Sequence, residues 1–379
     1  MKNKKRRRII RFSLLSLAGI YIFWLCFQLI SFRRPAIPEE NISDKEIVGA
    51  YHIHSKYSDG WSKVEKIAKK AKAANLDFII FTDHGRPNYE GLADQGWKEG
   101  VLVTAGSELS VSRGHLVALG FNTPSRPFSQ NAEEAVYGVM EKGGFTIIAH
   151  PYSKVRWTWG RFVDYSGMEI MNADTLVKKH FLSLIPFLPA FVFKPDLVLL
   201  KICHRPDINL RKWDSLNTVH HLYGYYSVDA HLLYGPLFNL FHIHIPLQEP
   251  LSEDFIAARK QVFTALREGR FFNAIDSAAP SHGFRFWAEK TGEKIPMGSA
   301  AAMDTPVFLQ VTAPFPFATE TRIIRNGEIL ERINSPSHRY RAALPGTYRV
   351  EVYLRLRTPL DNETPWILSN PIFIQGSQK

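Results

Sequence analysis

Short apolar segments alternate with amphipathic ones over the first half of this sequence. The segment IVGAYHIHS is followed by KVEKIAKKAKAANL, in which Val64, Ile67, Ala68 and Ala71 fall on one helical face, and then by the apolar DFIIFTDH. The order strand, helix, strand is typical of a parallel sheet. The pattern continues through VLVTAGSELSV, HLVALGF, AEEAVYGVMEKGG and FTIIAHP. The sequence therefore predicts an α/β domain whose polar residues gather at the carboxyl ends of strands, where active sites of α/β barrels lie.

A segment of twenty-one residues without a charge, Phe12 to Phe32, precedes this domain. As a helix it would be about 31 Å long, which matches the apolar core of a bilayer. A cleaved signal peptide is the alternative, but its apolar region is usually ~7–15 residues and ends at a small-x-small site, which FQLISFRRP lacks. We therefore predict an uncleaved, single-pass membrane anchor at 12–32.

Basic residues are concentrated around this predicted anchor. Seven lysines and arginines precede it, and only Arg33 and Arg34 follow closely, so the N-terminus (1–11) is predicted to be cytoplasmic and the remainder extracytoplasmic. Without these nine residues the chain has 38 basic and 36 acidic residues, so we expect no general binding of nucleic acid. Cys203 is the one cysteine beyond the anchor, which excludes an intramolecular disulfide framework there.

The rest of the chain divides by composition into three parts. A polar linker at 33–46 precedes the α/β domain, 47–278, and a β domain of sandwich type follows at 279–379. In the last part YRVEVYLRL alternates, with Tyr348, Val350, Val352, Leu354 and Leu356 on one face. Asn326-Gly327 is suited to a type I′ hairpin.

Histidines and carboxylates follow the predicted strands in a repeated manner. Most stand at strand ends or two residues apart, so their side chains should converge on one edge of the sheet. Such a group of polar side chains is unfavourable unless a cation or hydrogen bonds compensate it, and mixed nitrogen and oxygen ligands suit Zn, Mn or Fe. The nine candidate metal ligands are His52, His54, Asp59, His84, Glu108, His115, His150, Asp229 and His231. A second HxH pair, His242 and His244, is interpreted as part of a packed strand or loop.

In order along the chain, HIHSKYSDG, FTDHG, GSEL, GHLVALG, IIAHPY and SVDAH resemble the motifs of the PHP domain, the polymerase and histidinol phosphatase family of metal-dependent phosphoesterases. The resemblance covers about Ile47 to Asp276. It implies a distorted seven-stranded β/α barrel, two or three divalent metal ions held by the nine residues, and Glu108 as a bridge between metals. RPDINLRKWDSLN, EGRFFNAIDS and PWILSNPIFI also resemble a subgroup in which a β domain follows the barrel.

The predicted chemistry is hydrolysis of a phosphate mono- or diester. Two adjacent divalent metals ~3.5–4 Å apart acidify a shared water and neutralise charge on phosphate oxygens, so no side-chain nucleophile is needed. The predicted catalytic residues are Asp59, Glu108 and His231, with leaving-group protonation open between a metal-bound water and a histidine such as His231. Arg113 and Arg156 are predicted phosphate clamps, with exposed loop arginines as the alternative. Asp83 is either a partner of a ligand imidazole or a turn cap.

Two alternative functions stay open, and so does the position of one apolar insertion. A PHP exonuclease-like enzyme and a non-catalytic, metal-binding envelope module are the other functions considered. The substrate is expected to be a phosphorylated small molecule or envelope component. The apolar insertion His180 to Leu200 is interrupted by three prolines, so it is predicted to cover the barrel rather than to span the membrane, with a lid or a surface in the membrane interface as the alternative.

Overall fold

The structure is a computed structural model that describes residues 2–36, 42–153, 157, 163–314 and 319–376. Single 3₁₀ turns cover Ile185–Phe187 and Leu200–Ile202. The α-helices are α1 (Lys2–Ile30), α2 (Val64–Ala73), α3 (Tyr89–Ala93), α4 (Ala132–Glu141), α5 (Ala173–Leu184), α6 (Leu188–Phe191), α7 (Pro195–Leu199), α8 (Asp207–Leu216), α9 (Tyr234–Leu240) and α10 (Phe255–Arg267).

The strands form three mixed or antiparallel sheets. Up to Ala274 the strands are β1 (Glu46–Ile53), β2 (Phe78–Phe81), β3 (Gly96–Lys98), β4 (Val101–Ala105), β5 (Ser107–Val111), β6 (Gly114–Leu119), β7 (Phe145–Ala149), β8 (Gly167–Asn172), β9 (Tyr223–Ser227), β10 (His242–Pro246) and β11 (Phe272–Ala274). The later strands are β12 (Arg285–Lys290), β13 (Glu293–Pro296), β14 (Ala300–Met303), β15 (Val307–Thr312), β16 (Thr319–Arg325), β17 (Glu328–Ile333), β18 (Ser337–Arg341), β19 (Gly346–Leu354), β20 (Ile367–Ser369) and β21 (Ile372–Gly376).

The α/β part contains two groups of parallel strands, as the order of strand and helix predicts. β1, β2 and β4 are parallel in the largest sheet, and β7, β8 and β9 are parallel in a five-stranded sheet. Antiparallel strands extend both groups, with β10 beside β1 and β6 beside β7. The sheets are therefore mixed rather than purely parallel.

Backbone hydrogen bonds connect the two groups of strands at both edges. The N–H of Val228, after β9, donates to the carbonyl of Tyr51 in β1 over 3.1 Å, and the N–H of His54 donates to the carbonyl of Ala230 over 3.0 Å. At the other edge, the N–H of Glu108 donates to the carbonyl of Thr82 over 3.0 Å. In the described ranges these contacts do not join the sheets into one continuous ladder, and the seven-stranded barrel stays a prediction.

Both faces of these strands are buried, and each face belongs to its own apolar cluster. One cluster combines Tyr51, Ile80, Val117 and Ile147 with the apolar face of α10. The other cluster combines the opposite faces of the strands with helices such as α2, whose Val64, Ile67, Ala68 and Ala71 are buried as predicted. The strands are thus enclosed between an inner core and an outer layer of helices, as near-continuous apolar segments require.

The C-terminal part continues the largest sheet and also forms a separate four-stranded sheet. β11, before the predicted boundary at 278/279, pairs with β20, and β20 pairs with β19. A second, four-stranded sheet, β13-β12-β15-β18, shares the larger apolar cluster with β16 and β19. The predicted hairpin is confirmed: β16 and β17 are antiparallel, and Asn326 and Gly327 have φ values of 52° and 89°, as a type I′ turn requires.

The alternation of apolar and polar residues in β19 predicts one buried face, but both faces of the strand are buried. Tyr348, Val350 and Val352 are buried as predicted, but so are Arg349 and Glu351 on the other face. α8 and the residues before it cover that face, where Arg349 pairs with Asp214, and Arg205 pairs with Glu351 at 3.0 Å. These ion pairs lie between the α/β part and the β domain.

One described helix, Lys4–Ile30 within α1, is long and apolar enough to cross a membrane, with a mean hydropathy of 1.9 in its most apolar window. A signal sequence near an N-terminus meets the same criterion. In the C-terminal third of α1, Cys26 and Leu29 are buried and Ile22 packs against the larger apolar cluster, whereas Leu14, Leu15 and most other apolar side chains of the helix are exposed.

Candidate metal centre

The nine predicted ligands come from six separate parts of the fold and converge on one site. His52 is in β1 and His54 follows it, His84 follows β2, His150 follows β7, and Asp229 and His231 follow β9. Glu108 lies in β5 and His115 in β6, and Asp59 lies in the loop after β1. The ends of the parallel strands therefore meet at the same edge, as the sequence predicts.

Three of these residues have a backbone conformation that side chains other than glycine rarely adopt. The φ values of His52, His150 and Asp229 are 68°, 25° and 47°. At His52 the pairing of β1 with β2 also shifts register. Strained backbone costs about 1–3 kcal/mol per residue and is concentrated at functional sites, because the surroundings must hold it in place.

Glu108 is at the centre of the site. Its Oε2 lies 3.3 Å from His52 Nε2, 3.2 Å from His54 Nε2 and 3.3 Å from His84 Nδ1. Its Oε1 lies 2.7 Å from His115 Nδ1 and 2.9 Å from His150 Nε2. The two carboxylate oxygens thus face two different groups of imidazoles.

Asp59, Asp229 and His231 complete the arrangement on the side of His54. Asp229 Oδ1 lies 3.5 Å from His52 Nε2 and 3.4 Å from His54 Nε2. His231 Nε2 lies 3.2 Å from Asp59 Oδ2, and its ring stacks on that of His54 with a centroid distance of 4.1 Å. Asp59 is half exposed, so this side of the site is open to solvent.

The donor atoms fit bound divalent metal ions. Among the residues that the structure describes, His52 Nε2, His54 Nε2 and His84 Nδ1 are buried without a hydrogen-bond partner, although each lies close to Glu108. Three groups of donor atoms lie within 4.8 Å of one another: His54, Asp59, His84 and His231; His52, Glu108 and His150; and His52, His54 and Asp229. Unpaired buried ring nitrogens beside carboxylates are costly, and coordination to a cation would compensate them.

Electrostatics keep the carboxylates of the site ionised. Burial raises the pKa of Glu108, but His52, His115 and His150 outweigh burial and hold that pKa well below its usual value. Burial also opposes ionisation of Asp229, and His52 and His54 lower its pKa in the same way. Ionised carboxylates are the form that binds metal.

Glu169 is a buried residue of the site that the sequence analysis missed. Its Oε1 accepts hydrogen bonds from His52 Nδ1 and from the Tyr51 hydroxyl, both at 2.6 Å, and its Oε2 accepts the backbone N–H of His150 at 2.8 Å. Asn172 donates to both Glu169 and Asp229. Glu169 therefore orients the His52 ring with its Nε2 toward Glu108. The one available signal was a charged residue inside the apolar strand β8.

A cavity of about 800 Å³ opens over the ligands. α5 contributes Asp174, Thr175, Lys178 and Lys179 to its wall, and the loop after β7 contributes Tyr152 and Ser153. Lys178 pairs with Asp174. The sequence does not identify the α5 residues of this wall, because α5 lies outside the quoted motifs and nothing in its sequence marks a site.

The structure describes two of the three other predicted site residues, Arg113 and Asp83 but not Arg156. Arg113 is exposed in the turn between β5 and β6, with φ 64°, and does not line the cavity. Arg156 lies outside the described residues. Asp83 accepts hydrogen bonds from the Ser55 N–H and the Ser58 hydroxyl, both at 2.7 Å. Asp83 thus holds the loop that carries Asp59, and it bonds to none of the ligand imidazoles in the described part of the chain.

The second HxH pair is part of a packed strand, as interpreted from the sequence. His242 and His244 lie in β10 and are buried. His244 is bonded to Glu46 Oε1 and Asp276 Oδ2, each at 3.0 Å, and His242 is bonded to Asp276 Oδ2 at 2.9 Å and to the Phe238 carbonyl. We call Glu46, His242, His244 and Asp276 the closed cluster.

Sequence comparisons identify a family for part of this chain. The family model described as the PHP domain matches residues 50–185. An uncharacterized protein of Methanocaldococcus jannaschii is 31% identical over 137 residues, which is 32% of this chain and 80% of that protein.

Solved structures show a more general likeness. A two-domain protein of Bacteroides vulgatus, described as containing a predicted PHP-like metal-dependent phosphoesterase, aligns with a TM-score of 0.43 and 14% identity over 90% of this chain and 99% of its own. A protein of Bifidobacterium adolescentis, described as a metal-dependent phosphoesterase, aligns with a TM-score of 0.31 and 13% identity over 61% of this chain and 97% of its own. By its sequence match, the chain belongs to the PHP domain family.

Proposed function

We propose that the protein is a membrane-anchored, metal-dependent phosphoesterase that hydrolyses a phosphate mono- or diester. The observation that carries this proposal is Glu108, whose two oxygens face separate groups of imidazoles at the base of a cavity. Three buried imidazole nitrogens beside it have no hydrogen-bond partner in the described ranges of the chain. A bridging carboxylate between two metals would need this placement.

We propose that all nine ligands hold two or three divalent ions, with Mn, Fe and Zn as the ions that suit mixed nitrogen and oxygen donors. When bound, such ions lower the pKa of water and neutralise charge on phosphate oxygens. The seven-stranded barrel belongs to this proposal. The hydrogen bonds from Val228 and His54 at one edge and from Glu108 at the other support it.

The residues of the chain then have distinct tasks. Glu169 fixes the orientation of His52, and Asp83 fixes the loop of Asp59. His231 lies at the open side of the site, with its Nε2 3.2 Å from Asp59 Oδ2. Protonation of the leaving group stays open between His231 and a water, because a ring nitrogen that holds a metal ion has no proton to donate. Lys178 and Lys179 on the cavity wall are candidates to bind the phosphate, a role that the sequence suggested for Arg113 and Arg156.

The anchor and its orientation are part of the same proposal. The apolar helix Lys4–Ile30 and the excess of basic residues before it support an N-terminus in the cytoplasm and a metal centre outside it. A reporter fused to the C-terminus should then be active only in the extracytoplasmic compartment. A reporter active in the cytoplasm would reverse the orientation.

Turnover of soluble substrates by the full chain in detergent tests the activity. We expect hydrolysis of an aryl phosphate or a bis-aryl phosphodiester, loss of activity after chelation, and recovery on adding Mn, Fe or Zn ions. Cleavage of single-stranded DNA with little turnover of either aryl ester would favour the exonuclease-like alternative. Bound metal without turnover of any of these would favour the envelope module.

A further inference from the structure

The helix that lines the cavity continues into an exposed apolar segment. Lys178 and Lys179 of α5 face the cavity, and the helix kinks at His180. Phe181 and Leu182 follow at once and are 56% and 77% exposed. At 1.5 Å of rise per residue, Leu182 is about 5 Å along the helix from Lys179.

Exposed apolar side chains continue beyond α5. We call residues 181–193 the apolar segment, which ends with Val192 and Phe193, 79% and 70% exposed. Ile185 and Leu188 between them are about half exposed. Pro186 and Pro189 divide the segment into short helical pieces. Contiguous apolar surface of this kind is uncommon in soluble domains and marks a surface that contacts a partner or a membrane.

The end of α1 indicates what covers this surface. The Cys26 thiol lies 3.7 Å from the Pro186 carbonyl, to which it donates, and Cys26 and Leu29 are buried there. Cys26 lies four residues, or about 6 Å along the axis, before the end of α1. Interfacial helices bury their apolar face about 5–10 Å into the boundary between headgroups and acyl chains. An α1 that spans the membrane, as proposed above, would therefore place the apolar segment at the depth of a membrane surface.

Side chains near this end of α1 also fit a membrane interface. Trp24 is half exposed and lies about 9 Å along the axis before the end of α1, and tryptophan side chains are enriched at membrane–water boundaries. Basic residues surround the apolar segment and are suited to anionic lipid headgroups. They are Arg33 and Arg34 after α1, Lys178 and Lys179 before the segment, and Lys194 and Lys201 after it.

We propose that the apolar segment inserts into the leaflet at the C-terminal end of α1, and that the metal centre acts on the phosphate ester of a lipid in that leaflet. The substrate class rests on the proposed function, since it requires a metal-dependent phosphoesterase. The cavity wall and the apolar segment belong to one helix and its continuation. A lipid whose acyl chains stay in the bilayer could thus bring its phosphate to Lys178, Lys179 and the metal ligands.

Membrane contact is tested without any activity. The native cysteines, Cys26 and Cys203, are buried, so Val192→Cys can be labelled selectively with an environment-sensitive dye in the full chain, reconstituted in vesicles of phosphatidylcholine and phosphatidylglycerol. We expect spin-labelled lipids to quench this dye strongly. Leu344→Cys, at an exposed apolar position of the β domain, is the matched control and should be quenched little. Equal, weak quenching at both positions would overturn the membrane contact.

The substrate class is tested with two substrates in the same vesicles. We expect the double variant Leu182→Glu, Val192→Glu to lower turnover of phosphatidic acid by about tenfold or more, because each charge opposes burial of the segment. Turnover of a soluble aryl phosphate should stay within about twofold of wild type, and Leu344→Glu should affect neither. Equal turnover of phosphatidic acid by the double variant and the wild type, or none by the wild type while the aryl phosphate is hydrolysed, would overturn the lipid substrate. Failure with both substrates would contradict the proposed function instead, and the dye measurement would still decide the membrane contact.

Discussion

The two ends of β1 carry two clusters of histidines and carboxylates that differ in one physical respect. At the metal centre, His52 Nε2 and His54 Nε2 are buried and have no hydrogen-bond partner in the part of the chain that the structure describes. In the closed cluster, all ring nitrogens of His242 and His244 are bonded to a carboxylate or a carbonyl. Donor atoms of His242, His244 and Asp276 also lie within 4.8 Å of one another, so proximity does not separate the two clusters. What separates them is whether the ring nitrogens already have partners and face a cavity.

The closed cluster should be a source of stability rather than a metal site. His244→Gln leaves Glu46 and Asp276 without their shared imidazolium, and breaking a buried ion pair costs about 3–5 kcal/mol. We expect a decrease of this size in the free energy of unfolding by denaturant, with unchanged metal content.

The matched control for this variant is His338→Gln, which removes a partly exposed pair with Glu331 at 3.2 Å. It should cost no more than about 1 kcal/mol. We expect His54→Ala to lower the metal content, because it removes a candidate ligand; an equal decrease in His244→Gln would show that the closed cluster also binds an ion.

At the metal centre the largest effect should be on hydrolysis. Glu108→Gln removes a charge that faces five imidazoles but keeps the shape of the side chain. We expect turnover of an aryl phosphate to decrease at least about 100-fold, with a modest change in thermal unfolding of the metal-loaded protein. Glu328→Gln, at an exposed position in the β17 hairpin, is the control. Wild-type turnover in Glu108→Gln would contradict a bridged metal centre.

The closed cluster also predicts how stability depends on pH. Burial lowers the pKa of His244, but Asp276 and Glu46 outweigh burial and raise it to about 9. A raised pKa in the folded state adds stability below the unfolded value of 6.5, and this stability is lost as pH rises toward 9. Between pH 6.5 and 8 the loss should be about 2 kcal/mol.

The other titratable groups named here also face His244, and each keeps one charge state between pH 6.5 and 8. Asp276 and Glu46 have lowered pKa values and stay ionised, and the pKa of His282 is lowered, so it stays neutral. Asp77 has a raised pKa but remains a carboxylate in this range. Denaturation of metal-loaded wild type and His244→Gln at pH 6.5 and 8 measures how the free energy of unfolding changes with pH in each protein. An equal change in the two proteins would contradict the assignment of the pH dependence to His244.

The smallest effect should come from the predicted clamp Arg113. Its side chain is exposed outside the cavity wall, so Arg113→Ala should raise KM for an aryl phosphate by less than about threefold. Removing a group that binds phosphate directly raises KM more, and we expect this for Lys179→Ala. Steady-state kinetics of both variants measure these KM values. A larger increase of KM in Arg113→Ala than in Lys179→Ala would indicate that Arg113 binds the phosphate.

Much of the α/β part could be predicted because its signals are local. Apolar segments identify the strands. Parallel strands end on the same side, so residues in or directly after them, such as His52, His84 and His150, are predicted to lie close together. Glu169 could not be predicted in this way, because its role depends on contacts with β1 and β7 that its own segment does not encode. The same holds for Lys178, which reaches the cavity only through the direction of α5.

In the β domain, the sequence of a single strand does not predict which of its polar residues are buried. The alternation of β19 identifies one apolar face, but the burial of Arg349 and Glu351 depends on α8, more than a hundred residues earlier. The pairing of β11 with β20 likewise joins residues that are almost a hundred positions apart. Contacts of this range leave no periodic signal in either segment.

That pairing has a consequence for biosynthesis. β11 has β10 on one side and β20 on the other, and the Trp366 indole N–H near β20 donates to the Ala279 carbonyl. Until residues 367–369 have been synthesised, the β11 edge has no partner and presents unpaired backbone groups, which are sites for aggregation. The α/β part can therefore complete its largest sheet only late in synthesis, and we expect a chain that stops near residue 278 to aggregate more readily than the full chain.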